Sequence, residues 1–119
     1  MITSICDVAT DRPQRYLKQL VGHFGSKLRT ESADNFASAS VFFDAGEVAM
    51  IAGDVSLGLT ARAADADGIE RLESVVGSHL VRFGSKDELV VRWIRSDGAA
   101  GTSWNKDGED SDERGDSAR

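Results

Sequence analysis

The amino-acid sequence predicts an α+β fold, a two-layer sandwich in which an antiparallel sheet of about five strands carries two helices on one face. Two segments place apolar residues at helical spacing. Several shorter segments alternate apolar with polar residues, as strands with one buried face do. The length of 119 residues suits one domain with one core. The predicted order of the elements is therefore β-α-β-β-β-α-β.

The first predicted helix follows a short strand at 4–9 and begins at Pro13, a residue that is tolerated in a first helical turn. Either Thr10 or Asp11 can cap this end. Gly25 stands where a left-handed C-terminal cap is expected. One face of the helix carries an apolar stripe of Tyr16, Leu17, Leu20, Val21 and Phe24.

The second predicted helix begins at Asp65 or Asp67, and Glu70 lies at capping-box spacing from Asp67. Gly84 ends the helix. Its apolar stripe consists of Ile69, Leu72, Val76, Leu80 and Phe83.

Three strands are predicted between the helices, at 36–43, 48–52 and 55–61, and one after them, at 89–94. The segment 44–47, Asp-Ala-Gly-Glu, predicts a hairpin turn between the first two of these strands. The predicted core combines the helix stripes with one face of the strands, as Tyr16, Leu20, Phe24, Val41, Phe43, Leu57, Leu59, Leu72, Val76, Leu80, Phe83, Val91 and Trp93.

Composition changes near Arg95. Residues 1–95 carry 11 basic and 13 acidic side chains, whereas residues 96–119 carry 3 basic and 7 acidic ones, with Trp104 as the only large apolar residue. Such a stretch buries too little apolar surface to offset its chain entropy. The sequence therefore predicts a single domain over 1–95 and a disordered acidic tail over 96–119.

Composition also excludes several classes of function. The net charge of −6 argues against binding to nucleic acid, and the longest apolar run, 48–52, is far too short to span a bilayer. A single cysteine, Cys6, excludes an internal disulfide and is expected to be a buried structural thiol. The N-terminus has no secretory apolar region, so we expect a cytoplasmic protein with no membrane contact.

The two histidines, His23 and His79, are the candidate site residues. Each lies at the flank of its helical stripe near the C-terminal end. Such a residue commonly packs at the core edge and interacts with the helix dipole. Alternatively, the two rings converge in a groove with Tyr16 or Cys6 nearby and hold haem or a divalent metal. The sequence contains no nucleophile-elbow or phosphate-loop motif, so no catalytic residue and no particular cofactor is assigned.

Four stretches are similar to a bacterial family catalogued as domain of unknown function 2218: 9–20 (ATDRPQRYLKQL), 23–27 (HFGSK), 76–84 (VGSHLVRFG) and 88–93 (ELVVRW). The resemblance covers residues 3–95. It implies a compact α+β domain without an established activity, in a family sometimes associated with siderophore-interacting flavoproteins. It therefore hints at iron handling, and the positions that carry over are His23 and His79.

We expect an uncharacterised non-enzymatic binding or accessory domain, with the link to iron or siderophore metabolism that the resemblance implies. Its partner is a small molecule, an iron- or siderophore-related protein, or a second copy that buries the exposed sheet side carrying Phe36, Phe42 and Ile94 in a homodimer. One alternative is a haem- or metal-dependent enzyme that uses His23 and His79. Another is a structural or interaction protein that acts through its tail.

Overall fold

The sheet is antiparallel, and both helices pack on one of its faces, in a computed structural model that describes residues 1–109. The α+β class and the two-helix layer were predicted correctly. In chain order the elements are β1 (Ile2–Ala9), α1 (Pro13–Gly25), β2 (Arg29–Ser32), β3 (Ser38–Phe43), β4 (Gly46–Ala52), β5 (Ser56–Ala63), α2 (Ala66–Phe83), a 3₁₀ turn (Ser85–Asp87), β6 (Val91–Arg95), β7 (Ala100–Asn105) and β8 (Gly108–Glu109).

Residues 1–109 form a sheet of eight strands, in the spatial order β2-β3-β4-β5-β1-β6-β7-β8, so the prediction of about five strands and of a seven-element order was wrong. The strand β2, with the sequence Arg-Thr-Glu-Ser, has no apolar alternation. It forms at the edge of the sheet because its backbone pairs with β3, from Arg29 opposite Phe42 to Ser32 opposite Ala39. Pairing with a neighbour, rather than side-chain pattern, makes this segment a strand.

Residues 96–109 lie within the predicted disordered tail, yet they contain β7 and β8. The strand β7 pairs with β6, and Trp104 lies opposite Val91 in that register. Its indole is half-buried and packs against the core. The prediction of a tail from residue 96 was therefore wrong up to residue 109, and residues 110–119 lie outside the described part of the chain.

The helix ends follow the predictions only in part. Asp65 caps α2, and its Oδ1 accepts a hydrogen bond from the Gly68 backbone N–H at 2.8 Å. At α1 the N-cap residue is Arg12, which makes no side-chain cap, whereas the Thr10 hydroxyl accepts from the Arg12 backbone N–H. Neither predicted glycine cap, Gly25 or Gly84, has a positive φ.

Gly84 has a different structural role from the one predicted. A Cβ atom at this position would lie 2.3 Å from Cδ1 of Leu89, so the glycine permits close contact between the end of α2 and the segment that leads into β6. The close approach of Leu89, rather than a left-handed backbone conformation, explains why this residue is a glycine.

The core lies between the helices and the sheet. Of the thirteen predicted core residues, only Phe43 and Phe83 are half-buried, and the other eleven are buried. α1 covers β2 to β5, while α2 covers β1 and the strands from β4 to β8. The two helices also contact each other, so the seam between them is one boundary of the core. Within the described residues, neither helix combines the length and apolarity needed to cross a bilayer.

No helix or strand within residues 1–109 covers the opposite face of the sheet. Phe42 and Ile94 lie on this face, as predicted, and the guanidinium of Arg29 lies 4.3 Å from the centre of the Phe42 ring. Phe36 does not lie there. It is half-buried in the β2–β3 loop beside α1, with Lys18 Nζ 5.5 Å from its ring centre. The turn places Phe36 at φ 56°, which directs the loop toward the helix layer.

Candidate functional site

The two histidines meet at the seam between the helices. α1 and α2 run past each other so that the His23 and His79 ring centres are 4.5 Å apart, with the ring planes inclined by 42°. Although 56 positions separate them in the sequence, their shared place at the flank of a buried stripe brings the rings together. The rings therefore converge, as the second of the two interpretations of these histidines requires, and binding of a metal or haem there stays a prediction.

Phenylalanine rings surround the histidine pair. The Phe24 ring lies 5.0 Å from His23 and 5.2 Å from His79, and both contacts are edge-on. Phe83 contacts the pair from α2, at 5.7 Å from His23. Phe43, at the end of β3, packs edge-on against Phe24 at 5.2 Å. These contacts restrict the rotamers of both imidazoles, so the pair is held in place rather than left free on the surface.

One hydrogen bond sets the tautomer of His79. Its Nδ1 lies 2.6 Å from the backbone carbonyl oxygen of Val75, an acceptor only, so Nδ1 carries the proton and donates it. In the neutral ring, Nε2 is then left with a free lone pair. A ring N–H bonded to a backbone carbonyl is the arrangement that usually orients a metal-ligating histidine.

The ring separation distinguishes two kinds of metal site. Two imidazoles that bind one ion at ~2.0–2.1 Å, with ring centres 4.5 Å apart, subtend an angle of about 90° at the ion. Imidazoles on opposite sides of a haem iron have ring centres roughly 6 Å apart. The observed spacing suits two adjacent ligands of one ion and is too short for an axial haem pair.

The pair supplies two donors and leaves the rest of a coordination sphere open. His23 is exposed and His79 is half-buried. Among residues 1–109, no group of three or more His, Cys, Asp or Glu side chains is placed to hold a metal together. A shallow pocket of about 290 Å³ adjoins His23, and it is lined by Phe24, Ser26, Lys27 and Leu28. Residues 1–109 therefore supply the two imidazoles and no further ligand to such a site, and water or a small molecule can fill its remaining positions.

The third predicted site residue, Tyr16, does not join the pair. It lies two helical turns before His23, and its hydroxyl donates a hydrogen bond of 2.5 Å to Asp87 Oδ2 in the 3₁₀ turn. Burial and this bond to Asp87 both raise the pKa of Tyr16. Arg12 Nε lies 4.0 Å from the same carboxylate oxygen. Tyr16 therefore connects α1 to the link between α2 and β6.

The surroundings of Cys6 do not favour a reactive thiol. Its side chain points from β1 into the core and is 6% exposed. Burial raises the pKa of the Cys6 thiol to about 11, so the thiolate is scarce at neutral pH. The prediction of a buried structural thiol agrees with this position.

Glu73 is the polar residue that the sequence interpretation missed. Its carboxylate is fully buried in the core-facing side of α2 and accepts five hydrogen bonds. Arg95 donates two, from Nε at 2.9 Å and Nη2 at 3.0 Å. The Ser4 hydroxyl donates at 2.7 Å, and Thr102 donates from its backbone N–H and its hydroxyl at 3.0 and 3.1 Å. The Trp104 indole N–H extends the network by donating to the Thr102 hydroxyl at 2.9 Å.

This network joins α2 to β1, β6 and β7. Burial by itself would raise the pKa of Glu73, but the hydrogen bonds from Arg95, Thr102 and Ser4 outweigh it and lower the pKa. The sequence did contain a signal for this burial. Glu73 follows Ile69 by four residues and precedes Val76 by three, which places an acidic side chain within the apolar stripe of α2. All five hydrogen bonds to the carboxylate come from within the fold, so Glu73 has a structural role and its two oxygens are occupied as acceptors.

The fold and the histidine pair define a small α+β domain, with one face of a single sheet covered by two helices and two imidazoles held between them. The chain belongs to the family described as "Uncharacterized protein conserved in bacteria (DUF2218)", which matches residues 5–94. The predicted family is thereby confirmed. No curated protein matches the chain.

A solved structure supports the same fold. The chain is similar to PA4090 from Pseudomonas aeruginosa, determined by NMR, with a TM-score of 0.65 and 20% sequence identity. The match covers 84% of this chain and 100% of PA4090. At this identity the similarity concerns the fold alone.

Proposed function

We propose that this domain is a non-enzymatic binding module that holds a divalent first-row transition metal ion at the seam between its helices, through His23 and His79. The 4.5 Å separation of the two rings carries the proposal. Imidazole is a good ligand for Zn²⁺, Cu²⁺, Ni²⁺ and Fe²⁺. The Val75 carbonyl leaves the His79 Nε2 lone pair free for such an ion.

The small number of protein ligands favours an accessory role. A closed structural zinc site has four protein ligands, and here two positions or more remain for outside donors. A chelating small molecule or a partner protein can occupy them through the open pocket beside His23. The iron or siderophore role implied by the family resemblance is one form of this proposal, since oxygen-rich chelators supply the hard donors that imidazoles do not. A cytoplasmic location belongs to the same proposal.

A haem- or metal-dependent enzyme is the less favoured alternative. An enzyme needs an acid, base or nucleophile beside the metal, and in the described part of the chain no carboxylate or thiol joins the two rings. A role through a flexible tail is also less favoured, because residues 100–105 form β7 and pair with β6.

The test is metal titration of the full chain without a polyhistidine tag, followed by calorimetry and by NMR of the imidazole protons. The chain has only two histidines, so each signal is assigned by one substitution. We expect micromolar affinity for Cu²⁺ or Ni²⁺, about 8 kcal/mol, and weaker binding of Fe²⁺, in line with the general order of affinities.

The variants His23→Gln and His79→Gln should each weaken binding at least about tenfold, or 1.4 kcal/mol. Lys27→Gln is the matched control, since Lys27 lines the adjoining pocket and is not a metal ligand. Equal binding by all three variants would contradict the proposal. Loss of stability in the histidine variants, without any effect of metal on the parent protein, would assign the two rings to aromatic packing alone.

A further inference from the structure

The uncovered face of the sheet, opposite the helices and the histidine pair, presents exposed apolar side chains. Ile5, Ile51 and Ile94 are 52%, 64% and 62% exposed. Around them the face carries small residues, including Ala49, Gly58 and Thr60 on β4 and β5, which leave a hollow between Ile5 and Ile51. A contiguous exposed apolar patch of this kind is typical of an interaction surface, whereas scattered apolar residues are not.

Two neighbouring strands at the centre of this face carry a self-complementary pattern. Ile5 of β1 lies opposite Ile94 of β6 in the antiparallel register. When this register is continued by two residues, toward the end of β1 and the start of β6, Asp7 and Arg92 lie side by side on the same face. A hydrogen bond between the Cys6 thiol and the Arg92 backbone agrees with that continuation. Both charged side chains are exposed, and no ion pair within 4.0 Å joins them in the described residues. Each strand therefore offers one isoleucine and one charge, and the two charges have opposite sign.

We propose that this face binds a second copy of the chain, sheet against sheet, around a two-fold axis that runs parallel to the strands between β1 and β6. In a two-fold interface, residue i of one copy contacts residue j of the other, and j contacts i. This axis sets Ile5 of each copy against Ile94 of the other. It also sets Asp7 of each copy against Arg92 of the other, so one pattern produces two apolar contacts and two ion pairs.

Charge complementarity favours a second copy over an unrelated ligand. A nucleic acid or an anionic lipid surface requires a face of one sign, whereas this face alternates acid and base. The register also places Glu47 opposite Arg62 on β4 and β5, so both signs recur at the edge of the apolar area. An apolar centre with a polar rim of mixed charge is the usual anatomy of a protein interface.

The available area sets the expected strength. The face from β4 to β8 is six strands wide, about 29 Å, and about five residues long, or 17 Å, which gives about 500 Å² in plan for each copy. A standard interface buries about 800 Å² per partner. We therefore expect a reversible dimer with a micromolar dissociation constant rather than a permanent one.

The experiment is analytical ultracentrifugation of the full chain from about 1 μM to 1 mM, across the range in which a micromolar dimer dissociates. Asp7→Arg alone, and Arg92→Asp alone, place like charges against each other and should each raise the dissociation constant at least about tenfold. The double variant D7R/R92D restores both ion pairs and should return the constant to within about threefold of the parent value.

Ile94→Glu should abolish the dimer because it places a charge at the apolar centre. Val55→Glu is the matched control, since Val55 is 71% exposed and lies in the connection between β4 and β5, outside the strands of this face. A chain that remains monomeric at every concentration overturns the proposal. So does a dimer that the charge reversals leave unchanged, or one that V55E weakens as much as I94E. Circular dichroism of each variant verifies that the sheet is folded.

Discussion

Glu73 illustrates how one residue determines the organisation of this core. A carboxylate without solvent is destabilising unless donors surround it, and here five hydrogen bonds from Ser4, Arg95 and Thr102 do so. The strands that supply these donors lie far apart in the sequence. The carboxylate therefore specifies where β1, β6 and β7 meet α2, in addition to any net stability that it contributes.

We predict that Glu73→Gln destabilises the protein by about 3 kcal/mol, at the lower end of the range for breaking a buried ion pair from one side. The glutamine side chain lacks the negative charge that pairs with Arg95. Its N–H₂ group also faces hydrogen-bond donors, where an acceptor is needed. Urea unfolding at pH 7 measures the change. Glu70→Gln, on the exposed side of the same helix, is the control and should change the unfolding free energy by less than about 0.5 kcal/mol.

The pH dependence of the unfolding free energy tests the charge itself. Since the folded state lowers the pKa of Glu73 below its ordinary value of 4.5, ionised Glu73 stabilises the fold above that value. This contribution decreases as the pH falls below about 4.5 and is lost once the pH passes through the folded-state pKa. The E73Q variant lacks it, so the stability difference between parent and variant should narrow toward pH 3. A constant difference would exclude this role of the charge.

At the scale of elements, the contact between α2 and β7 depends on a glycine. A Cβ atom at Gly77 would lie 2.7 Å from Cδ1 of Trp104, closer than a side chain can approach that indole. Glycine at position 77 has a lower helix propensity than alanine, but it permits the indole to pack against α2 and to donate its hydrogen bond to Thr102. This contact fixes β7 on the helix layer.

We predict opposite effects of alanine at two helical glycines. Gly77→Ala gains about 1 kcal/mol of helix propensity but displaces Trp104, and we expect a net loss of about 1–2 kcal/mol. In the described part of the chain, no atom beyond the adjoining residues and the backbone of α1 itself lies within 4 Å of a Cβ added at Gly22. Gly22→Ala should therefore stabilise the fold by about 0.5–1 kcal/mol. Thermal unfolding compares the two variants, and stabilisation by both would contradict the close contact at Gly77.

The same elements show which parts of the fold a sequence pattern can predict. α2 was predicted closely because its apolar stripe and the Asp65 cap are local signals. The strand β7 was missed because Ala-Gly-Thr-Ser-Trp-Asn contains one large apolar residue. What makes it a strand is pairing with β6 and two hydrogen bonds from Thr102 to Glu73, and neither is visible within a short window of sequence.

Prediction of the candidate site had the same strengths and limits. The equivalent positions of His23 and His79 on two neighbouring stripes made convergence of the rings one of two interpretations, and the rings do converge. Tyr16 shares the α1 stripe, but its partner, Asp87, comes from a 3₁₀ turn that the pattern did not indicate. Residues positioned by helix periodicity were placed correctly, whereas those positioned by irregular connections were not.

At the scale of the whole molecule, the two proposed binding surfaces lie on opposite sides of one sheet. The histidine pair joins two helices that the chain connects only through four intervening strands. Since an ion bound by both rings holds α1 against α2, the ion must bind the folded state more tightly than the unfolded chain. Metal binding at this site therefore raises the free energy of unfolding. That free energy can be measured without an assay of function.

We predict that a bound transition metal raises the unfolding free energy by about 2.7 kcal/mol at a free concentration 100 times the dissociation constant. For a domain of this size the melting temperature should rise by roughly 10 °C. Differential scanning calorimetry of the full chain with Ni²⁺ or Zn²⁺ measures the shift. Mg²⁺ prefers oxygen ligands and should produce none. The H79Q variant should lose the shift as well, because one remaining imidazole cannot connect the helices, and a shift that survives in H79Q would place the metal elsewhere.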